Sequence, residues 1–210
     1  EALGCLRMKY RSLAAFAGAL TLCGFAAAAT ASTETIKNLN AAFRGESNAN
    51  SRYTAFAQKA DAEGYAQVAK LFRAAAAAEA IHRDTHKATI LKLGGAADTF
   101  TLDAVTPGTT GENLQEAIKG ESYERDTMYP AFLKVAKAEN NRDAERSFHF
   151  AVSAEKEHAA LYADALDQLG KNPSVGYYVC PVCGNTTVGR PTDEKCPTCR
   201  KPTDKFVQII

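Results

Sequence analysis

Between residues 33 and 170 apolar positions recur every three or four residues, and Gly and Pro break the runs. That is the period of amphipathic helices. Ser32 or Thr33 is placed to cap a first helix, with Glu34 in its first turn. Ile36, Leu39, Phe43, Ala49, Tyr53 and Phe56 mark one face, and the helix is predicted to run to about Glu63, with Gly64 as its stop. A second helix is predicted from about Tyr65 to Leu93, ended by Gly94-Gly95. Its centre, Ala74 to Ala78, is all alanine, which lets helices approach closely and leaves room for a cluster. A third is predicted from Gly111 or Glu112 to Glu139, with Pro130 bending it or leaving a carbonyl free. A fourth runs from about Arg142 to Leu169, stopped by Gly170 with Pro173 beyond. Residues 94–111 have no helical period and fit the one long crossover between two helix hairpins of a four-helix bundle. After residue 175 the period changes: Tyr177-Tyr178-Val179 reads as a short strand, punctuated afterwards by Gly and Pro.

The helical pattern contains an internal repeat. Glu79 and His82 form a Glu-x-x-His pair, and so do Glu155 and His158. Three residues on a helix place both side chains on one face, one turn apart, where they can hold one metal ion. Glu46 precedes Glu79 by 33 residues and Glu121 precedes Glu155 by 34, so each half is a hairpin offering one lone Glu and one Glu-x-x-His. Arg44-Gly45-Glu46-Ser47 also resembles Lys119-Gly120-Glu121-Ser122. The halves differ at Glu124, where the first half has Ala49. Seven candidate ligands result: Glu46, Glu79, His82, Glu121, Glu124, Glu155 and His158. Five carboxylates converging in one core would repel one another and lose hydration, and two cations remove most of that cost. Tyr53, seven residues after Glu46, and Tyr129, eight after Glu121, are placed to donate to a ligating carboxylate or to serve as ordinary core tyrosines. His86 and His149 lie off the repeat and read as surface or structural.

Cysteine usage adds a second metal site. Cys180, Cys183, Cys196 and Cys199 form two Cys-x-x-Cys knuckles twelve residues apart, whereas Cys5 and Cys23 lie far away. Four thiolates give a tetrahedral site for Fe or Zn, which the spacing does not distinguish. So short a module needs that metal for much of its folding energy, with Tyr177, Tyr178 and Phe206 as its expected small core.

Composition bounds the rest. The 210 residues allow one full core and a small second module, and a net charge of +1 with intermixed signs offers no footprint for nucleic acid. Residues 1–31 read as a leader: Lys9 and Arg11 are basic, Ser12 to Thr33 is uncharged and mostly apolar, and Ala29-Thr30-Ala31 fits a cleavage site. With Met8 as the start of translation and residues 1–7 as an upstream artefact, we expect export to the periplasm and cleavage near Ala31. A membrane anchor, a lipidated Cys23 and a cytoplasmic location are the alternatives; the run is weakly apolar for a span, and Leu22 is large for a lipidation site. The expected division is leader 1–31, four-helix bundle 32–172 and metal module 175–210.

Taken together, Gly45-Glu46-Ser47, Ala78 to His82, Gly120-Glu121-Ser122-Tyr123-Glu124, Met128-Tyr129-Pro130, Ala154 to His158 and the paired knuckles resemble the rubrerythrin family over residues 33–210. The resemblance implies a mainly α, ferritin-like di-iron bundle followed by a rubredoxin-like Fe(Cys)4 domain. It implies reduction of hydrogen peroxide to water, with electrons from a redox donor (rubredoxin or an NAD(P)H-linked reductase) relayed through the Fe(Cys)4 site. It implies homodimers in which one subunit's rubredoxin-like domain lies near the other's di-iron site. One iron would exchange Glu124 for His82 with redox state, leaving His158 a permanent ligand. The chain departs from the family in its leader, in Asn185 where an aromatic often follows Cys-Gly, and in Arg200 where a small residue is usual. The rival readings are a ferritin-like ferroxidase or iron-handling protein, and a non-catalytic metal-binding bundle with a zinc ribbon.

Overall fold

A computed structural model of the chain describes Glu1 and residues 33–210; the leader, with its expected cleavage site, Cys5, Cys23 and Ser32, lies outside the described residues. Helix α1 spans Thr33–Ala62 and α2 spans Ala66–Lys92. Helix α3 spans Thr110–Tyr123, α4 Tyr129–Ala138 and α5 Arg142–Asp167. Gly64, Gly94 and Gly170, all at positive φ, end the runs where the sequence places their stops. No helix among the described residues is long and apolar enough to cross a membrane.

The third predicted helix is where winding departs from expectation. It begins one residue early because Thr109 and Glu112 form a reciprocal capping box. It is also not one regular helix: Glu124–Met128 forms a π-helical turn between α3 and α4. Pro130 lacks the N–H that a regular helix needs, and it sits in the first turn of α4, where that loss is harmless. The wide turn has a second effect. Eight residues of regular helix overshoot two turns by about 80°. The π turn takes up this excess, so Tyr129 returns to the face that carries Glu121.

The bundle core is two apolar clusters separated by one polar layer. Leu39, Phe43, Ile90, Tyr129 and Phe148 fill one end; Tyr53, Phe56, Leu71, Phe72, Leu114 and Tyr162 fill the other. Along each helix the change between clusters falls at Glu46, Glu79, Glu121 or Glu155, all buried. Burial of each large apolar side chain contributes roughly 1.5–3 kcal/mol. That stabilisation offsets the cost of the polar layer. The crossover, though irregular, is tied to α1. Asn40 bonds Ala96 O (3.1 Å) and Asp98 N (2.8 Å), and Asn48 bonds both Oδ2 (2.7 Å) and N (3.0 Å) of Asp103.

The C-terminal module holds a three-stranded antiparallel sheet in the order β2-β1-β3, with β1 Tyr177–Val179, β2 Thr186–Val188 and β3 Val207–Ile209. Strand alternation corrects one expectation. Tyr178 and Phe206 pack with the cysteines, but Tyr177 and Val179 point the other way and join the bundle's core. The module is therefore docked onto the bundle of its own chain. Gln67 bonds both N and O of Val175, and Arg73 Nε donates to Ile210 O at 2.8 Å.

Candidate metal centre

Six of the seven expected ligands converge. Glu46, Glu79, His82 and Glu155 offer ligand atoms within 4.8 Å of one another, and so do Glu79, Glu121, Glu155 and His158. Glu79 and Glu155 belong to both groups, so they lie between two metal positions, one completed by Glu46 and His82 and the other by Glu121 and His158. His82 Nδ1 lies 2.8 Å from Glu79 Oε2 and 3.4 Å from Glu155 Oε1. His158 Nδ1 mirrors it, 3.1 Å from Glu79 Oε1 and 3.2 Å from Glu155 Oε2. Glu124, the first residue of the π turn, is half-buried and joins neither group. His82, and not Glu124, stands in the group with Glu46, Glu79 and Glu155.

The tyrosines act across the repeat. Tyr53 is on the Glu46 helix but donates to Glu121 Oε1 at 2.5 Å, while Tyr129, on the other hairpin, donates to Glu46 Oε1. Burial first, then the neighbouring carboxylates, raises both phenols well above their ordinary pKa, so they stay protonated donors. His86 is not a surface residue: it is fully buried, with Nε2 3.0 Å from the Tyr129 hydroxyl and Nδ1 2.7 Å from Ser147 Oγ. Burial, with repulsion from His82, lowers its pKa to about 3, so it is neutral. Its place four residues after His82, on the ligand face, was the signal in the sequence. His149 is exposed, as expected.

The donor set fits two cations. Glu46 Oε2 is buried without a hydrogen-bond partner, and Glu79 Oε1, Glu121 Oε2 and Glu155 Oε1 face only imidazole Nδ1 atoms, themselves ligand atoms, an arrangement that a metal resolves. In the metal-free protein, burial and then the other carboxylates push Glu46, Glu124 and Glu155 well above the ordinary carboxylate range. Burial opposes charge at His158, but the carboxylates of Glu121 and Glu79 outweigh it and push the imidazole up to about 10. A proton thus sits where a cation would. Both imidazoles turn Nε2 to the module: His82 Nε2 donates to Cys183 O at 3.0 Å, and His158 Nε2 to Thr186 Oγ1 at 3.0 Å. These bonds fix the tautomer that leaves Nδ1 free to ligate.

Cys180, Cys183, Cys196 and Cys199 form the second cluster, with Sγ–Sγ separations of 3.6 Å for Cys180–Cys199 and Cys183–Cys196. A tetrahedron with metal–sulfur bonds of about 2.3 Å has edges of about 3.8 Å, so four thiolates fit one ion. The Cys183 thiol first, then the Val182 and Cys183 N–H groups, lower the Cys180 thiol to about 5 against the opposing effect of burial. Cys199 is the most exposed of the four. Glycine is required next to Cys183. Gly184 has φ +76°, and a Cβ there would lie 2.4 Å from His82 Nε2. Asn185 and Thr186 are held by Glu157 of α5, whose Oε1 accepts from Asn185 Nδ2 at 2.5 Å and Oε2 from Thr186 N at 3.1 Å. The two metal groups therefore meet within one chain, whereas the resemblance implies a meeting between subunits.

A family-level sequence pattern described as Rubrerythrin matches residues 37–166. Nigerythrin of Nitratidesulfovibrio vulgaris is 38% identical over 177 residues, covering 84% of this chain and 87% of that protein. Rubrerythrin-2 of Clostridium acetobutylicum is 39% identical over 173 residues, covering 80% and 92%. The solved structure of fully reduced, all-ferrous nigerythrin superposes with a TM-score of 0.76 at 35% identity, over 96% of this chain and all of that one. A Mycobacterium tuberculosis bacterioferritin shares the fold at a TM-score of 0.61 and 19% identity, over 67% of this chain and 88% of its own.

Proposed function

Since the chain belongs to the rubrerythrin family of di-iron oxidative-stress proteins, we propose that it is a peroxidase reducing hydrogen peroxide to water with electrons relayed through its four-thiolate iron. One observation carries the reading. The Cys183 carbonyl, next to a thiolate of one metal group, accepts a hydrogen bond from His82, a ligand of the other, at 3.0 Å. An iron-storage bundle has no use for so short a link to an electron inlet. When bound, the paired irons supply two electrons to peroxide and the four-thiolate iron returns them singly.

The chain's own residues support the remaining needs of the reaction. Glu79 and Glu155 hold the two positions together, and the apolar clusters on either side keep bulk water out. Reduction of peroxide to two waters consumes two protons. Tyr129 and Tyr53 hold protons at Glu46 and Glu121, one on each side of the pair. Glu157 holds the module against α5, and half-exposed Cys199 is the face open to a one-electron donor of the rubredoxin or NAD(P)H-linked reductase kind.

Stopped-flow mixing of the fully reduced, iron-loaded protein with one equivalent of peroxide tests the reading. We expect rapid oxidation of the di-iron pair, followed by appearance of the ferric-thiolate colour. Slow oxidation of the pair, or a four-thiolate site that fails to follow it, refutes the peroxidase. We also propose a periplasmic location from Lys9, Arg11 and the apolar run after them; a native N-terminus upstream of Ala31 refutes cleavage there.

A further inference from the structure

Behind Glu46 lies a string of buried polar groups that metal ligation does not use. Glu46 Oε1 accepts from the Tyr129 hydroxyl. The Tyr129 oxygen faces His86 Nε2 at 3.0 Å, and His86 Nδ1 faces Ser147 Oγ at 2.7 Å. Glu46, Tyr129 and His86 are fully buried, and Ser147 is 2% exposed. Counting protons fixes the direction of the string. Tyr129 has one hydrogen and commits it to Glu46, so its oxygen must accept from His86 Nε2–H. A neutral imidazole has no second N–H, so Nδ1 accepts from Ser147. His86 is further held between the rings of Tyr129 and Phe148, with centroids 5.9 and 5.6 Å away.

Among the described residues, the other half of the bundle has no buried imidazole in the matching place. The residue 76 positions after His86, the offset that relates Glu79 to Glu155, is Tyr162. Its hydroxyl has no hydrogen-bond partner, and it meets Tyr53 through a ring contact at 5.5 Å. There a guanidinium takes the place of the imidazole: Arg52 lies 5.7 Å from the Tyr53 ring centre and within reach of the Tyr53 hydroxyl. The two metal positions, symmetric in their direct ligands, are thus supported differently.

We propose that His86 is a positioning residue for the metal position built on Glu46 and His82. Through Tyr129 it pins Glu46 Oε1 and leaves Glu46 Oε2, buried and unpartnered, for the cation. The Glu121 and His158 position does not depend on it. This inference rests on the two-metal reading of the centre and is independent of peroxide chemistry.

Manganese(II), titrated into the full chain with zinc in its four-thiolate site and the carboxylate site emptied, and followed by the electron paramagnetic resonance of the free ion, tests it. Hard Mn(II) selects the carboxylates over the thiolates. The unaltered chain should bind two equivalents; failure to do so defeats the two-metal reading itself. In His86→Leu one equivalent should remain tight and the other weaken about tenfold. His86→Gln, whose amide N–H can donate to Tyr129, should restore most of that loss, and Tyr162→Phe should leave both equivalents unchanged. Equal weakening of both, weakening of neither, or a Gln variant no better than Leu overturns the proposal. If His86→Leu does not fold, Ser147→Ala decides: a smaller, unequal weakening supports the role, and an equal or absent one overturns it.

Discussion

Replacing Glu157 with alanine should loosen the joint between the two metal groups without touching a ligand of either. Glu157 accepts from Asn185 Nδ2 at 2.5 Å and from Thr186 N at 3.1 Å, and both donors belong to buried residues. Hydrogen bonds to a charged group contribute about 1.5–3 kcal/mol each. The half-buried carboxylate loses hydration, chiefly through burial, as its raised pKa shows, so the pair together stabilises docking by about 2.5–3 kcal/mol. Truncation leaves a buried amide and a backbone N–H without a partner. The docked arrangement around Thr186 should then open about a hundredfold more often. Hydrogen exchange at the Thr186 amide reads this directly, and it should accelerate about a hundredfold while amides in the Leu71–Ala78 stretch of α2 keep their protection. The ferric-thiolate colour should be unchanged, and transfer from the four-thiolate iron to the di-iron pair should slow. Glu157→Gln keeps one acceptor and should fall between. An acceleration below about threefold, worth about 0.6 kcal/mol, would falsify the claim that this carboxylate anchors the module.

Three further outcomes follow from individual side chains. Arg200 holds φ +63°, the knuckle conformation that Gly184 adopts at +76°; Arg200→Gly should raise module stability by about 0.5–1 kcal/mol in denaturant titrations, and a loss would contradict the strain argument. Glu63 accepts from Thr110 N and Oγ1, bonds which lower its pKa from 4.5 to about 2, so its stabilising effect is complete above pH 4.5 and is lost as pH falls toward 2. Glu63→Gln should flatten acid unfolding in that window, and an unchanged acid limb would count against the cap. Metal uptake near neutral pH should release protons, because Glu46, Glu124 and Glu155 are held above the ordinary carboxylate range in the metal-free protein; calorimetry giving the same heat in two buffers of different ionisation enthalpy would contradict this.

Much of the site is legible in the sequence because its spacing is a local property. A Glu and a His three apart share a helix face whatever surrounds the helix, and two Cys-x-x-Cys turns each gather two thiolates. The doubled pattern therefore identifies Glu46, Glu79, His82, Glu121, Glu155 and His158, and the four cysteines, without any knowledge of packing. Helix ends are readable for the same reason, through Gly64, Gly94 and Gly170. The capping box at Thr109 is equally local, and the start predicted at Gly111 or Glu112 overlooks it.

What the helical period cannot carry is which face meets which. Tyr53 and Tyr129 are recognisable as donors, yet each serves the carboxylate of the opposite hairpin, a choice made by the way the hairpins pack. Glu124 shares its spacing with the candidate ligands and feels the charge of Glu121 and Glu79, yet it joins neither group. His86 is incidental in the repeat, and only packing puts Tyr129 and Ser147 on its two nitrogens. The joint between the metal groups depends on a chain reversal after α5 and on a glycine small enough to approach His82. By itself the sequence determined the candidate metal ligands, because one turn of helix or one knuckle sets their geometry. Only tertiary structure decided their partners, their asymmetry and the contact between the two centres, because these depend on distances between segments far apart in the chain.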